Sequence, residues 1–228
     1  MSRLNKSSTG PLLCYVTDRR SLAEVKPAEQ QEILLDKIAA AVKAGIDWIQ
    51  IREKDLLGKD CSSLTKEALR RAAITNKNMS TRILVNDRWD VALAERASGV
   101  HLGENSLPLA EVSRMFESRG ERKDFLVGVS CHSLEAARAA ANGGADYLFF
   151  GPVFSTPSKA VFGAPQGLGR LAEVCNAVAI PVLAIGGIAL ANAAECLAAG
   201  AAGIAAIRLF QDARDISTLV QSLRELKT

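Results

Sequence analysis

The fold is decided by residues 44–51, AGIDWIQI, in which an Ala-rich segment ends at Gly45 and a short apolar run follows. A glycine at a helix end adopts the left-handed conformation that closes the last turn. The continuous apolar run is typical of a strand buried on both faces, as strands of parallel sheets are. This stretch therefore predicts the junction between a helix and a buried parallel strand, which is the recurring joint of alternating β/α folds.

The same pattern recurs along the chain, as GADYLFF at 144–150, as GAAGIAAI at 200–207 and, more weakly, as SGVHL at 98–102. Together with the remaining apolar runs, it predicts eight strands, near 12–17, 46–52, 82–86, 99–103, 125–130, 146–151, 181–186 and 203–208. Helical segments are predicted between the strands, for example at 28–44, 60–77, 133–142 and 190–199.

Eight parallel strands joined by right-handed helical crossovers close most simply into a barrel. We predict an α/β protein with a single (β/α)₈ TIM barrel over residues 12–228, preceded by a short N-terminal extension at 1–11. The length of 228 residues is near that of one such barrel. The alternative is a doubly wound open sheet, which is disfavoured because no GxGxxG sequence follows the first strand.

Composition and charge argue against nucleic-acid and membrane partners. The net charge is +3 and aromatic residues make up 5% of the chain, so basic blocks and stacking rings for nucleic acid are both missing. The polar first residues lack the apolar core of a signal peptide. Residues 181–207 are long and apolar, but Gly186 and Glu195 interrupt them, so we expect strand, turn, helix and strand there.

The five cysteines form no CxxC pair and no metal-ligand spacing, which predicts free thiols in a reducing cytosol. We therefore expect a cytoplasmic protein that acts on small molecules. Homo-oligomerisation stays open at this point.

Polar residues follow the second predicted strand, where the loops of a barrel build its active site. Strand alternation puts Gln50, Arg52 and Lys54 on one face, which in a barrel is the interior. Cations there are costly unless they are paired or face an anion. The pattern favours an anion site, and the alternative is a structural ion pair with Glu53 or Asp55.

Two further strand ends carry candidates for metal binding and proton transfer. Asp87, after the third strand, is a candidate Mg²⁺ ligand because hard cations take carboxylate oxygens; the alternative is that it caps the next helix. His132, after the fifth strand, is a candidate for proton transfer, with a plain structural role as the alternative. Ser133 has the character of a helix N-cap, with Glu135 in the first turn.

The loops after the sixth and seventh strands favour phosphate binding. Thr156, Ser158 and Lys159 lie on a turn-rich loop and offer charge-assisted hydrogen bonds to phosphate oxygens. Gly186 and Gly187 leave bare backbone where this fold commonly binds phosphate. Arg208, expected at the end of the eighth strand, adds positive charge to this region.

These stretches, taken as a set, resemble the thiamine-phosphate synthase family, in the family's order and over nearly the whole chain after Pro11. The resemblance implies a TIM barrel that joins a pyrimidine diphosphate to a thiazole phosphate and releases pyrophosphate, with Mg²⁺ as cofactor. The matching stretches are QIREK at 50–54, VNDR at 85–88, GVHLG at 99–103, GVS at 128–130, GPVFSTPSK at 151–159 and AIGGI at 184–188.

The resemblance also implies a role for each matching residue. Gln50, Arg52, Lys54 and Asn86 would hold the pyrimidine diphosphate; Asp87 would bind Mg²⁺; Ser130 and Lys159 would contact pyrophosphate; Thr156, Ser158 and the backbone of Gly187 would face the thiazole phosphate.

The chain departs from the family pattern after the fourth strand. The family usually has Gly-Gln-x-Asp there, with the Asp as a second Mg²⁺ ligand, whereas this chain has Ser106 at that position. Glu104 is the nearest substitute, two residues away from the expected spacing. Arg208 also stands where the family commonly has Ser.

These departures, with His132 in a Ser-x-His-Ser stretch, are similar to the related thiazole tautomerases, which share the barrel but form no carbon–nitrogen bond. The intact Arg52 and Asp87 stretches favour the synthase, because a tautomerase has no diphosphate to neutralise. A third reading is a regulator that binds thiazole or thiamine phosphate without turnover.

Overall fold

Eight parallel strands form a closed barrel in the computed structural model, which describes residues 10–22, 25–76, 81–103, 106–119, 124–156 and 164–226. Each strand pairs with the next along the chain, and the last pairs with the first. The strands are β1 (Leu12–Val16), β2 (Trp48–Ile51), β3 (Arg82–Asn86), β4 (Gly99–Leu102), β5 (Leu126–Cys131), β6 (Tyr147–Phe150), β7 (Val182–Ile185) and β8 (Gly203–Ala206).

Helices alternate with the strands and cover the outside of the barrel. They are α1 (Pro27–Lys43), α2 (Gly58–Thr75), α3 (Trp89–Ala94), α4 (Leu109–Arg119), α5 (Leu134–Asn142), α6 (Gly167–Ala177), α7 (Leu190–Ala198), α8 (Arg208–Gln211) and α9 (Ile216–Arg224). The predicted barrel is confirmed, and the open-sheet alternative is wrong.

The differences from the predicted elements are small. The stretch 181–207 is strand, turn, helix and strand, as expected, and no helix among the described residues is long and apolar enough to span a membrane. Arg208 begins α8 rather than ending β8, because the last strand stops at Ala206. None of the five cysteines, all of which lie among the described residues, forms a disulfide. The predicted N-terminal extension falls mainly on residues 1–9, which lie outside the described residues.

The barrel interior is filled by side chains from alternate positions of each strand. The two strongest copies of the repeat meet there, since the rings of Trp48 on β2 and Tyr147 on β6 lie 4.6 Å apart between centroids. Leu84, Leu126 and Leu183 add to the same buried cluster. This packing fills the lower and middle parts of the barrel, and the polar interior groups described below lie towards its upper end.

The Asp residue in each of these two copies ties neighbouring strands together at the lower edge. Asp47 Oδ2 accepts a hydrogen bond of 2.8 Å from the Leu13 N–H, and Asp146 Oδ2 accepts one of 2.8 Å from the Val127 N–H. Arg224 of α9 also pairs with Asp47 at 2.8 Å. These polar residues of the repeat are therefore structural, and lie opposite the strand ends where the candidate site residues lie.

Replacing Asp47 with Ala is expected to lower the free energy of unfolding by about 2–3 kcal/mol, because it leaves the Leu13 N–H without its acceptor and removes the carboxylate that pairs with Arg224. Urea unfolding measures the change. The control is Asp36→Ala, which removes an exposed carboxylate paired with Arg71 and should cost no more than about 1 kcal/mol. Equal losses in the two variants would contradict this role for Asp47.

Candidate active site

Polar side chains gather in the uppermost interior layer of the barrel. Gln50 of β2 is buried, with 1% of its surface exposed, and its Nε2 donates a 2.9 Å hydrogen bond to Asn86 Oδ1 at the end of β3. Alternation along each strand, which put Gln50 in the interior, also brings His101 of β4 and Ser130 of β5 to this layer. The interior position of Gln50 is confirmed.

His101 is a site residue that the sequence analysis did not single out. It is buried, its Nε2 lies 2.8 Å from Ser130 Oγ, and its Nδ1 lies 3.1 Å from the Tyr147 hydroxyl. The pKa of His101 is lowered to about 3, mainly by burial; Asp87 acts to raise this pKa and Arg52 acts to lower it. The imidazole is therefore neutral at physiological pH. One polar residue within the buried four-residue strand GVHL was the available signal.

The ion pair that the sequence left open for Arg52 does not form. Arg19, in the loop after β1, takes both candidate carboxylates, with 2.9 Å between its Nη1 and Glu53 Oε2 and 2.7 Å between its Nη2 and Asp55 Oδ2. Glu53 also accepts a 2.6 Å hydrogen bond from Thr17 Oγ1. Within the described part of the chain, the half-buried Arg52 has no carboxylate partner.

Burial raises the pKa of Glu53, against the lowering effects of its hydrogen bonds to Thr17 and Arg19.

Lys54 differs from its expected placement: β2 ends at Ile51, and Lys54 lies exposed in a turn. Strand alternation therefore assigns it no interior position, and its part in anion binding stays a prediction.

Asp87 has a left-handed backbone, with φ of 60°, and its carboxylate faces the loop after β4. It accepts hydrogen bonds from Asn86 Nδ2 at 2.7 Å, from the Gly103 N–H at 3.4 Å and from the Ser106 hydroxyl. The helix-capping alternative is wrong, because Arg88 occupies the N-cap of α3 and no side chain caps that helix.

The Asp87 carboxylate and the Ser106 hydroxyl form an oxygen-rich corner beside the layer of polar residues. Mg²⁺ commonly takes one or two carboxylates and completes its shell with waters and substrate phosphates, so this donor set fits the ion. The described residues contain no cluster of three or more His, Cys, Asp or Glu side chains that would hold a metal without a substrate. The predicted ligand Glu104 lies outside the described residues.

The glycine pair after β7 has a conformation that side chains rarely adopt. Gly186 and Gly187 have φ of 93° and 70°. A Cβ on Gly187 would lie 2.7 Å from Phe154 Cβ and from the Ser155 carbonyl oxygen, so the loops after β6 and β7 pack backbone to backbone.

A side chain of α7 orients this backbone, since Asn192 Nδ2 donates to the Gly187 carbonyl at 3.0 Å. Across the described ranges, the N–H groups of Gly187 and Ile188 have no backbone acceptor. Two backbone donors beside a helix start form an arrangement that binds phosphate.

The remaining predicted anion ligands are described only in part. Thr156 is half-buried in the loop after β6. Ser158 and Lys159 lie outside the described residues. Arg208 is exposed, and its Nε lies 3.4 Å from Asp212 one turn along. Its role in phosphate binding stays a prediction.

His132 contacts the end of β6, where its Nδ1 hydrogen-bonds the Gly151 carbonyl oxygen. The predicted cap at Ser133 is confirmed, since its Oγ accepts a 3.1 Å hydrogen bond from the Ala136 N–H at the start of α5. Both readings of His132 stay open, because a ring held through Nδ1 is either oriented for chemistry or simply packed.

Fold and site define a (β/α)₈ enzyme that handles phosphorylated small molecules at the carboxyl ends of its strands. Residues 14–210 match the family described as thiamine monophosphate synthase. The chain belongs to this family.

Curated relatives agree with this assignment. The chain is 38% identical over 216 residues to the thiamine-phosphate synthase of Roseiflexus sp., covering 95% of this chain and 85% of the relative. It is 43% identical over 186 residues to the thiamine-phosphate synthase of Methanocella arvoryzae, covering 82% and 84%. Among solved structures, thiamine phosphate pyrophosphorylase from Pyrococcus furiosus matches with a TM-score of 0.77, 32% identity and 94% coverage of both chains.

Proposed function

We propose that this chain is a thiamine-phosphate synthase, which joins hydroxymethylpyrimidine diphosphate to thiazole phosphate and releases pyrophosphate. Arg52 carries the proposal, because Arg19 takes the neighbouring carboxylates and leaves the Arg52 guanidinium with no carboxylate partner among the described residues. A half-buried cation is costly without a counter-ion. A diphosphate supplies that charge, whereas a reaction on thiazole phosphate alone would leave this end of the site unused.

The bond changes balance without a nucleophilic side chain. The carbon–oxygen bond to pyrophosphate breaks with its electron pair on oxygen, and the thiazole nitrogen lone pair forms the new carbon–nitrogen bond. The demand on the protein is to stabilise the departing anion. In this proposal Arg52, Ser130 and Lys159 face the pyrophosphate, Lys54 extends the positive end, and the Gln50–Asn86 pair orients the pyrimidine ring.

Mg²⁺ fits this proposal as the cofactor, with Asp87 and Ser106 as the described oxygen donors and Glu104 as a further candidate. When bound, the ion neutralises charge on the diphosphate. Asp87 keeps its carboxylate aimed at this corner through the hydrogen bonds from Asn86 and Gly103. Asp87 is the one described carboxylate at this corner, so the diphosphate oxygens would have to supply further ligands to the ion. We therefore expect Mg²⁺ and the diphosphate to bind together.

The other substrate would bind through its phosphate at the opposite side of the barrel mouth. Gly187 and Ile188 offer backbone N–H groups, and Thr156, Ser158 and Arg208 are the side-chain candidates. The free thiols accord with our proposal of a cytoplasmic enzyme.

The test is turnover of the two substrates by purified protein, with Mg²⁺ and with a chelator. We expect thiamine phosphate only with Mg²⁺. No product in either condition, together with isomerisation of thiazole phosphate that His132→Ala abolishes, would instead establish the tautomerase. Binding of thiazole phosphate without either reaction would establish the regulator.

Replacing Gly187 with Ala is expected to raise the KM for thiazole phosphate about tenfold and to leave the KM for the pyrimidine diphosphate nearly unchanged. A left-handed Ala costs about 1–2 kcal/mol, and its Cβ would push the loops after β6 and β7 apart. Steady-state kinetics with each substrate varied measures both constants.

The control is Gly169→Ala, since a Cβ there meets nothing within 4 Å. Its kinetics should match those of the unsubstituted protein. An unchanged KM for thiazole phosphate in Gly187→Ala would remove this loop from the phosphate site.

A further inference from the structure

The hydrogen bond between Ser130 and His101 can run in two directions, because the serine hydroxyl can accept from the imidazole or donate to it. Only when the hydroxyl accepts does its own proton stay available for an anion. We infer that Tyr147, acting through His101, fixes this direction so that the Ser130 hydroxyl always presents its proton to the barrel mouth. The inference deepens the proposed function, on which its catalytic consequence rests. It makes Tyr147 and His101 positioning residues.

The first step concerns the surroundings of the Tyr147 hydroxyl. Tyr147 is fully buried, and its ring packs against Trp48 and Phe149 at centroid distances of 4.6 and 5.4 Å. Gly128 makes room for it, since a Cβ there would lie 2.0 Å from Tyr147 Cζ. Among the described residues, His101 Nδ1 is the one hydrogen-bond partner of the phenol oxygen.

The second step concerns the proton on His101. A neutral imidazole carries one N–H and one lone pair, so each ring nitrogen takes one role. If Nδ1 carried the proton, the Tyr147 hydroxyl would accept from it and its own proton would be buried without an acceptor. Burying such a donor unpaired is expensive. With the proton on Nε2, Tyr147 donates to Nδ1 and both ring nitrogens are paired.

The third step follows for Ser130. With the proton on Nε2, His101 donates to Ser130 Oγ across 2.8 Å, so the serine oxygen is the acceptor in this bond. In the described part of the chain Ser130 has no second partner and its side chain is half-buried, so its own proton is left for a group that binds in the barrel mouth. The opposite tautomer would take that proton and turn oxygen lone pairs towards the departing pyrophosphate.

Nitrogen-15 NMR of the histidine rings tests the tautomer in the free protein, without substrate or metal. The chain has two histidines, and a His132→Gln variant identifies the signals of His101 by elimination. We expect a protonated Nε2 and an unprotonated Nδ1 for His101. A protonated Nδ1 would overturn the inference, whatever reaction the protein catalyses.

A double-mutant cycle tests the catalytic consequence. Tyr147→Phe removes only the hydroxyl, and we expect kcat to fall about tenfold with little change in KM. This loss is smaller than the about 100-fold loss expected when a transition-state hydrogen-bond donor is removed outright. In a Ser130→Ala background, Tyr147→Phe should cause no further loss.

An equal fall in both backgrounds would show that Tyr147 acts through general packing, and would overturn the inference. The two failures are distinguishable. Absence of synthase turnover in the unsubstituted protein sinks the proposed function, while the ring tautomer still decides the direction of the hydrogen bond.

Discussion

Replacing Asp87 with Asn is expected to lower kcat/KM by about 100- to 1,000-fold, the range seen when a group that stabilises transition-state charge is lost. The variant keeps the shape of the side chain and removes its charge. Apart from glycine, Asn is also among the neutral residues that best tolerate a φ of 60°, so the turn after β3 should stay intact. Steady-state turnover with saturating Mg²⁺ measures the loss.

A second readout ties the loss to the metal. We expect the affinity for Mg²⁺ in the presence of pyrimidine diphosphate, measured by calorimetry, to fall in Asp87→Asn. Asp87→Ala is the poorer variant, because a left-handed Ala adds about 1–2 kcal/mol of backbone strain to the chemical effect.

The matched control is Asp90→Asn, three residues after Asp87, which removes an exposed carboxylate that pairs with Arg88. Its turnover should stay within about twofold, as expected for an exposed ion pair. Normal turnover in Asp87→Asn would refute the metal assignment and, with damage from His132→Ala, would favour the tautomerase.

The fold was predictable because its signal is local and repeated. Each helix, glycine and apolar strand lies within one short stretch, so the β/α joint at 44–51 and its copy at 144–150 could be recognised without knowing what packs against them. The interior position of Gln50 was equally predictable, because alternation holds as long as the strand continues.

The alternation of side chains between the two faces of a strand no longer predicts side-chain direction beyond the last residue of the strand. Ile51 ends β2 and Ala206 ends β8, so Lys54 lies in an exposed turn and Arg208 begins a helix. A one-residue or two-residue error in a strand end is enough to change which way a charged side chain points.

The partners of the site residues were not predictable from spacing, because they come from distant parts of the chain. Arg19 reaches Glu53 across 34 residues, and His101 reaches Tyr147 across 46. Which carboxylate pairs with which arginine is decided by competition within the folded barrel. Ser106 shows the same limit, since only the folded loop brings its hydroxyl to Asp87.

Replacing Arg52 with Gln is expected to weaken binding of pyrimidine diphosphate by about 10- to 100-fold, the equivalent of about one hydrogen bond to a charged group. Calorimetry with Mg²⁺ present measures the dissociation constant. Arg52→Lys keeps the charge without the guanidinium fork, and we expect it to recover part of the loss.

The same variant should not destabilise the fold. Arg52 has no carboxylate partner among the described residues, so removing its charge relieves a desolvation cost and breaks no ion pair. We expect the free energy of unfolding to stay unchanged or to rise by up to about 1 kcal/mol.

The matched control is Arg19→Gln. Arg19 lies at the same upper edge of the barrel, and its guanidinium pairs with Glu53 and Asp55. The substitution strands the buried Glu53 carboxylate and should lower the free energy of unfolding by about 3 kcal/mol. The two arginines thus separate folding from binding, since Arg19 contributes to the stability of the fold and Arg52 contributes to binding of the diphosphate. Equal destabilisation by both substitutions would make Arg52 a structural residue and remove the main support for a diphosphate substrate.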